Sequence, residues 1–265
     1  MKKEEQIRQI YSDIKKVRIQ GATNIAKAAI KTYMLKPTLD NKKKLLSLRP
    51  TEPTLSNALN FFDKFGARKT LAHFSNAQKK INNFVFKLVK NGMIIYTHCH
   101  STNTIKALIY AKKMGKNFEV YNTETRPLFQ GRITAKELSK NGIKVTDFID
   151  SALLESVKKS DLILLGADAI INSGVINKIG SGTIAELALA HRKPLYIVAD
   201  SWKFSPRNVK IEERDFHEVW KNAPRNIKIR NPAFEKIEKK YIKGIISEYG
   251  MFSFDKFIKK MRKTL

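Results

Sequence analysis

Apolar and polar positions alternate in two different rhythms along this chain. Up to about residue 90 the apolar residues recur at three- and four-residue spacing. Ile7, Ile10, Ile14 and Val17 form one such series, and Ile81, Phe84, Val85, Leu88 and Val89 form another. That spacing lines one face of a helix. Pro37, Pro50 and Pro53 punctuate the region and predict short helices separated by loops. After Gly92 the rhythm changes to short continuous apolar runs: MIIYTH (93–98), FEVYNTE (118–124), IKVTDFI (143–149), DLILLGA (161–167) and PLYIVAD (194–200). Helix-like stretches lie between them at 103–114, 134–141, 151–159 and 181–192. Continuous apolar strands alternating with helices imply a parallel sheet buried on both faces.

The fold class is therefore α/β: an N-terminal helical domain over 1–90, followed at 91–265 by a Rossmann-like parallel sheet with helices on both faces. In such sheets ligands bind outside the carboxyl ends of the strands, so chemistry is sought just beyond each apolar run. MIIYTH is followed by Cys99, His100, Ser101 and Thr102 and then a helix. Ser101 or Thr102 can cap that helix, whose free N–H groups make a natural phosphate seat. Cys99 is either a small buried apolar residue or, if cations and the helix end stabilise its thiolate, a base. Asp168, just after DLILLGA, is either a cap for the next turn or a catalytic acid. Asn177 and Lys178 are expected in a loop, and Lys203 follows the last strong strand.

Two other patterns are weaker. In an extended segment His98 and His100 share one face and Cys99 the other, so the three do not readily clasp one metal ion, and no metal is expected. Gly180-Ser181-Gly182-Thr183-Ile184-Ala185 matches a dinucleotide fingerprint. It follows NSGVINKI, read as a loop with a short apolar stretch rather than the strong strand the motif requires. Its glycines are expected to let a loop approach a strand or a phosphate.

Composition narrows the classes further. The 265 residues, 42% of them hydrophobic, can build a real core. No apolar run approaches the roughly 20 residues that span a bilayer, and the N-terminus carries no apolar signal core. One cysteine makes no internal disulfide, so a reducing, cytoplasmic setting is expected. The net charge of +27 invites a nucleic-acid partner. The lysines are spread along the whole chain without a basic tail or aromatic interleaving, which does not favour one. A basic surface would still attract a doubly phosphorylated ligand.

Taken in order, QGATNIAKAA (20–29), LRPTEPTLSNAL (48–59), MIIYTHCHS (93–101), TETRPLFQGRITAKEL (123–138), GADAI (166–170), GVINKIGSGTIA (174–185), WKF (202–204) and RNPAFE (230–235) resemble one family. It contains ribose-1,5-bisphosphate isomerases, methylthioribose-1-phosphate isomerases and the regulatory subunits of translation initiation factor 2B. Its enzymes carry a cysteine in the T-H-C-H-S block and an aspartate in the G-A-D block, and Cys99 and Asp168 match both. The T-H-C-H-S wording and the ending resemble most the archaeal ribose-1,5-bisphosphate isomerases. The resemblance implies an aldose-ketose isomerase with Cys99, as thiolate, taking the C2 proton and a protonated, unpaired Asp168 donating to the ring oxygen. It also implies substrate contacts from residues 20–23 (Gln20, Gly21, Ala22, Thr23), Arg49, Ser101, Thr102, Asn177, Lys178 and Lys203. No cofactor is called for, and a homo-oligomer, dimer or hexamer, is expected. A non-catalytic subunit that meets a translation factor, or a methylthioribose-1-phosphate isomerase, are the alternatives. One departure stands out: the isomerases usually have Arg-Gly-Ala where this chain reads Gln20-Gly21-Ala22. Losing a charged hydrogen bond of about 1.5–3 kcal/mol would weaken binding roughly 10- to 100-fold unless another cation substitutes.

Overall fold

The computed structural model describes residues 2–16, 18–19, 21–49, 52–211 and 213–264. Val17, Gln20 and Pro50, each named above, lie outside them. Helices α1 (Lys2–Lys15), α2 (Ala22–Leu35), α3 (Leu39–Leu48) and α4 (Pro53–Leu88) fill the N-terminal region. Thr38 caps α3 by accepting from the Asn41 amide at 3.3 Å, and Pro53 opens α4, where its missing N–H costs nothing. The last of these helices is not short. It runs for 36 residues, broken only at Gly66, whose φ of 75° and ψ of 173° leave the helical region. A glycine takes this left-handed turn without the penalty a side chain would meet.

Each apolar run after Gly92 is a strand: β1 (Ile94–Thr97), β2 (Glu119–Thr123), β3 (Lys144–Phe148), β4 (Leu162–Leu165) and, later, β7 (Leu195–Val198). Each helix-like stretch is a helix: α5 (Thr102–Lys113), α6 (Gln130–Lys140), α7 (Leu153–Lys159) and α8 (Ser181–Ala190). The remaining strands are β5 (Ala169–Ile171), β6 (Gly174–Lys178), β8 (Phe234–Glu238), β9 (Gly244–Ser247) and β10 (Gly250–Phe252), and α9 (Phe254–Thr264) follows them. The main sheet has seven strands in the order β10-β9-β7-β4-β1-β2-β3, parallel except for the antiparallel edge strand β10.

The continuous hydrophobicity of β4 and β7 has a direct cause, since successive residues face opposite, equally covered sides. Ile163, Leu165, Leu195 and Ile197 pack with Ala185 of α8 and Phe257 of α9 on one face. Leu162, Leu164, Tyr196 and Val198 pack with Leu108 of α5 and with Ile81 and Val85 of α4 on the other. The second half of α4 thus belongs to the same core as the sheet.

A second, antiparallel sheet (β5-β6-β8) grows from the tip of β4. Asn177 and Lys178, expected in a loop, are residues of β6 and pair with Glu235 and Phe234 of β8. The short runs AII and GVINK escape a search for long apolar strands, because a two-residue turn joins them and they are anchored by β8, some sixty residues away.

A cationic cleft at the strand tips

The carboxyl ends of β1 and β4 open onto one cleft, which the start of α2 and the side chains of Arg49 and Glu52 also line. Gly21, Ala22, Thr23, Arg49, Cys99, Ser101, Thr102, Asp168, Asn177, Lys178 and Lys203 all line it, so the structure gathers every described residue expected to touch substrate. Gln20 falls outside the described residues.

Cys99 does not continue β1 in extended form, as the strand-like reading of His98-Cys99-His100 supposed. Its φ is 62°, a left-handed conformation that costs an L-residue on the order of 1–3 kcal/mol. Two threonines hold it there. The Cys99 amide donates to Thr125 Oγ1 at 3.1 Å, and Thr134 Oγ1 donates to the Cys99 carbonyl at 2.7 Å. The turn sends His98, Cys99 and His100 all to the cleft wall.

Both ring nitrogens of His98 are taken by the protein. Nε2 donates to the Ile179 carbonyl at 2.8 Å, because a carbonyl can only accept, and Nδ1 meets Thr123 Oγ1 at 3.0 Å. Burial pushes the His98 pKa down, which fits this neutral form. Thr134 spends its proton on Cys99, so His100 Nδ1 donates to Thr134 Oγ1 at 3.1 Å. His100 Nε2 lies 3.7 Å from Glu137 Oε2, and burial also lowers its pKa.

The electrostatics bear on the expected thiolate. Burial pushes the Cys99 thiol up to about 11, and the Lys178 ammonium, which works against that, only partly offsets it. In the open cleft, desolvation of a small anion thus favours the thiol form over the thiolate. Lys178 is itself held below the usual lysine range, by burial first, while the charges of Cys99 and Asp168 act to raise it. Asp168 is therefore not the unpaired carboxyl supposed from sequence, since Lys178 shares its field. Its amide donates to the Ile176 carbonyl at 2.9 Å, which fixes the turn from β4 into the small sheet.

The cations are anchored by partners the sequence did not reveal. Arg49 Nη2 donates to Glu52 Oε1 at 2.8 Å in a pair that is almost wholly buried. Lys203 Nζ donates to the Ala167 carbonyl, one residue before Asp168. Glu52, His98, His100, Asn103, Gln130, Arg214 and Phe234 line the cleft without having been named as ligands. Of these, Gln130 lay within the TETRPLFQGR block. Gln130 brings a buried side-chain oxygen with no hydrogen-bond partner among the described residues. Nothing local marked Arg214.

Of the glycines in the 180–182 stretch, Gly180 packs against the His98 ring at the cleft wall and Gly182 against Glu235 of β8. A true strand, β6, does precede them, but it belongs to the antiparallel sheet. The Gly182 amide at the start of α8 donates to Glu235 Oε1 at 2.8 Å, so a carboxylate already occupies the place where a dinucleotide would set its pyrophosphate.

A doubly covered, mostly parallel sheet with a cleft at its strand tips, where Arg49, Lys178, Lys203 and Arg214 line the walls with a cysteine and an aspartate, defines an α/β protein with a cationic pocket. The chain belongs to the Initiation factor 2 subunit family, whose sequence model matches residues 26–254. It is 35% identical to the ribose 1,5-bisphosphate isomerase of Archaeoglobus fulgidus over 81% of this chain and 79% of that one. It is also 35% identical to the ribose 1,5-bisphosphate isomerase of Methanocaldococcus jannaschii, over 92% and 91% of the two chains. Among solved structures, the translation initiation factor eIF-2B of Pyrococcus horikoshii OT3 superposes with a TM-score of 0.84 at 25% identity, covering 94% of this chain and 97% of that one.

Proposed function

We propose that this protein converts ribose 1,5-bisphosphate to ribulose 1,5-bisphosphate, with Cys99 and Asp168 as the proton-transferring pair. The observation that carries the reading is that Cys99 and Asp168 line the same cleft as Arg49, Lys178 and Lys203. The two isomerase relatives support the substrate, and the cations suit a sugar phosphorylated at both ends better than a thiomethyl sugar, which needs an apolar wall.

A sugar whose anomeric oxygen carries phosphate cannot open as a free aldose does. The ring opens only if its oxygen is protonated as it leaves C1. Asp168, in its protonated form, donates that proton while Cys99, from its thiolate form, takes the hydrogen of C2 as a proton, leaving an enol between C1 and C2. Cys99 returns a proton to C1, Asp168 takes one from the C2 hydroxyl, and a ketose 1-phosphate results with both groups restored. Arg49, Lys178 and Lys203 hold the phosphates and offset charge gathering on the C2 oxygen.

The raised pKa of Cys99 favours a second route. After Asp168 protonates the ring oxygen, the C2 hydrogen migrates to C1 as hydride and Asp168 then takes the hydroxyl proton, with no thiolate formed. Substrate deuterated at C2 separates the two: full retention of the label at C1 identifies the shift, and exchange with solvent identifies the base.

The reaction itself is tested by incubating the protein with ribose 1,5-bisphosphate and following the phosphorus resonances. Ribulose 1,5-bisphosphate is the expected product. Binding without turnover would instead make the chain a non-catalytic sensor of the initiation-factor kind.

A further inference from the structure

The irregular stretch between Phe204 and β8 turns one arginine into the cleft. Arg214 lines the same wall as Asn177 and Lys178, and its side chain is only 7% exposed. The stretch folds on itself to hold the arginine there. Nε and Nη2 of Arg214 donate to Glu218 Oε1 at 3.2 and 2.7 Å. Asn231 donates to the other Glu218 oxygen at 3.3 Å and to the Asp215 carbonyl at 2.8 Å, and the Arg214 amide donates to the Asn231 carbonyl at 2.9 Å.

Glu218 uses one edge of the guanidinium. The other edge, Nη1 with the second Nη2 hydrogen, is the two-pronged donor that matches two phosphate oxygens. Arg214 also stands close enough to Lys178 for the two positive charges to oppose each other. Glu218 and Asp168 offset part of that repulsion, and an anion between the two cations would offset more of it.

We propose that Arg214 is a phosphate ligand, gripping the phosphate at the Asn177–Lys178 end of the cleft. The inference rests on the reading that the cleft takes a phosphorylated sugar, and it assigns the irregular stretch a role in holding that sugar.

Calorimetric titration with ribose 1,5-bisphosphate, alongside turnover, tests it on the wild type, Arg214→Ala, Arg214→Lys and Glu218→Gln. Arg214→Ala is expected to weaken binding about 10- to 100-fold. Arg214→Lys, which keeps the charge but not the two-pronged grip, recovers part of that. Glu218→Gln keeps the guanidinium but loosens its anchor, so it is expected to bind less tightly than wild type and more tightly than Arg214→Lys. Affinity that merely tracks the unfolding midpoint across the variants would mean that Arg214 only pins its own segment, which overturns the proposal. So would unchanged affinity in Arg214→Ala while the wild type turns over, with the isomerase reading intact. Arg214-dependent binding without turnover would sink the isomerase reading and sustain this one, and no binding by the wild type sinks both. Should Arg214→Ala fail to fold, Arg214→Lys against Glu218→Gln carries the comparison.

Discussion

Cys99 is held in a left-handed turn by Thr125 and Thr134, half-buried in a wall whose exclusion of water pushes its pKa up to about 11. With a pKa of about 11, the thiolate is about one molecule in 10⁴ at pH 7, from the four-unit gap, and rises tenfold with each pH unit up to that value. Alkylation by iodoacetamide should follow the same line: slow at pH 7, climbing log-linearly and levelling only near 11. A plateau below pH 8 would mean that the cations of the cleft outweigh burial. The position of Cys99 at a strand end was legible in the sequence, because a continuous apolar run stops just before it. Its protonation state was not, since that depends on how much water the folded walls exclude. The same limit hid the Arg49–Glu52 pair and the field of Lys178 at Asp168, which are properties of side chains meeting in space.

At the scale of elements, the cleft depends on how closely the tip of β4 approaches the start of α5. A Cβ added to Gly166 would lie 2.6 Å from both Cβ and Oγ of Ser101, the residue that caps α5 by accepting from the Thr104 amide. Gly166→Ala should therefore cost about 1–3 kcal/mol in chemical denaturation and move the helix end that lines the cleft. A loss below about 0.5 kcal/mol would show that the tip yields freely. The long strands and the helices between them could be read from periodicity, because burial on both faces imposes an unbroken apolar run on β4 and β7. The β5–β6 hairpin could not. Its strands are three and five residues long and owe their pairing to β8, whose position is a tertiary matter. The length of α4 was obscured because Gly66 interrupts its backbone while the helix resumes beyond it.

Across the whole molecule, 51 basic residues face 24 acidic ones, and the cleft collects cations in the same sense. A field of that sign draws a multiply charged anion inward and is screened over about 10 Å at 0.1 M salt. The kcat/KM for ribose 1,5-bisphosphate should fall at least ~5-fold between 50 and 500 mM sodium chloride, mainly through KM. A flat response would confine recognition to the buried contacts. Among the described residues no helix is long and apolar enough to cross a membrane. The pairing of Cys99 with Asp168 is tested most directly by kcat/KM on ribose 1,5-bisphosphate for the wild type, Cys99→Ser and Asp168→Asn, each checked for folding. Measurable ribulose 1,5-bisphosphate from the wild type and a loss of at least ~100-fold in each variant are the expected results. Near-normal turnover in either variant, or none in the wild type, would contradict the assignment.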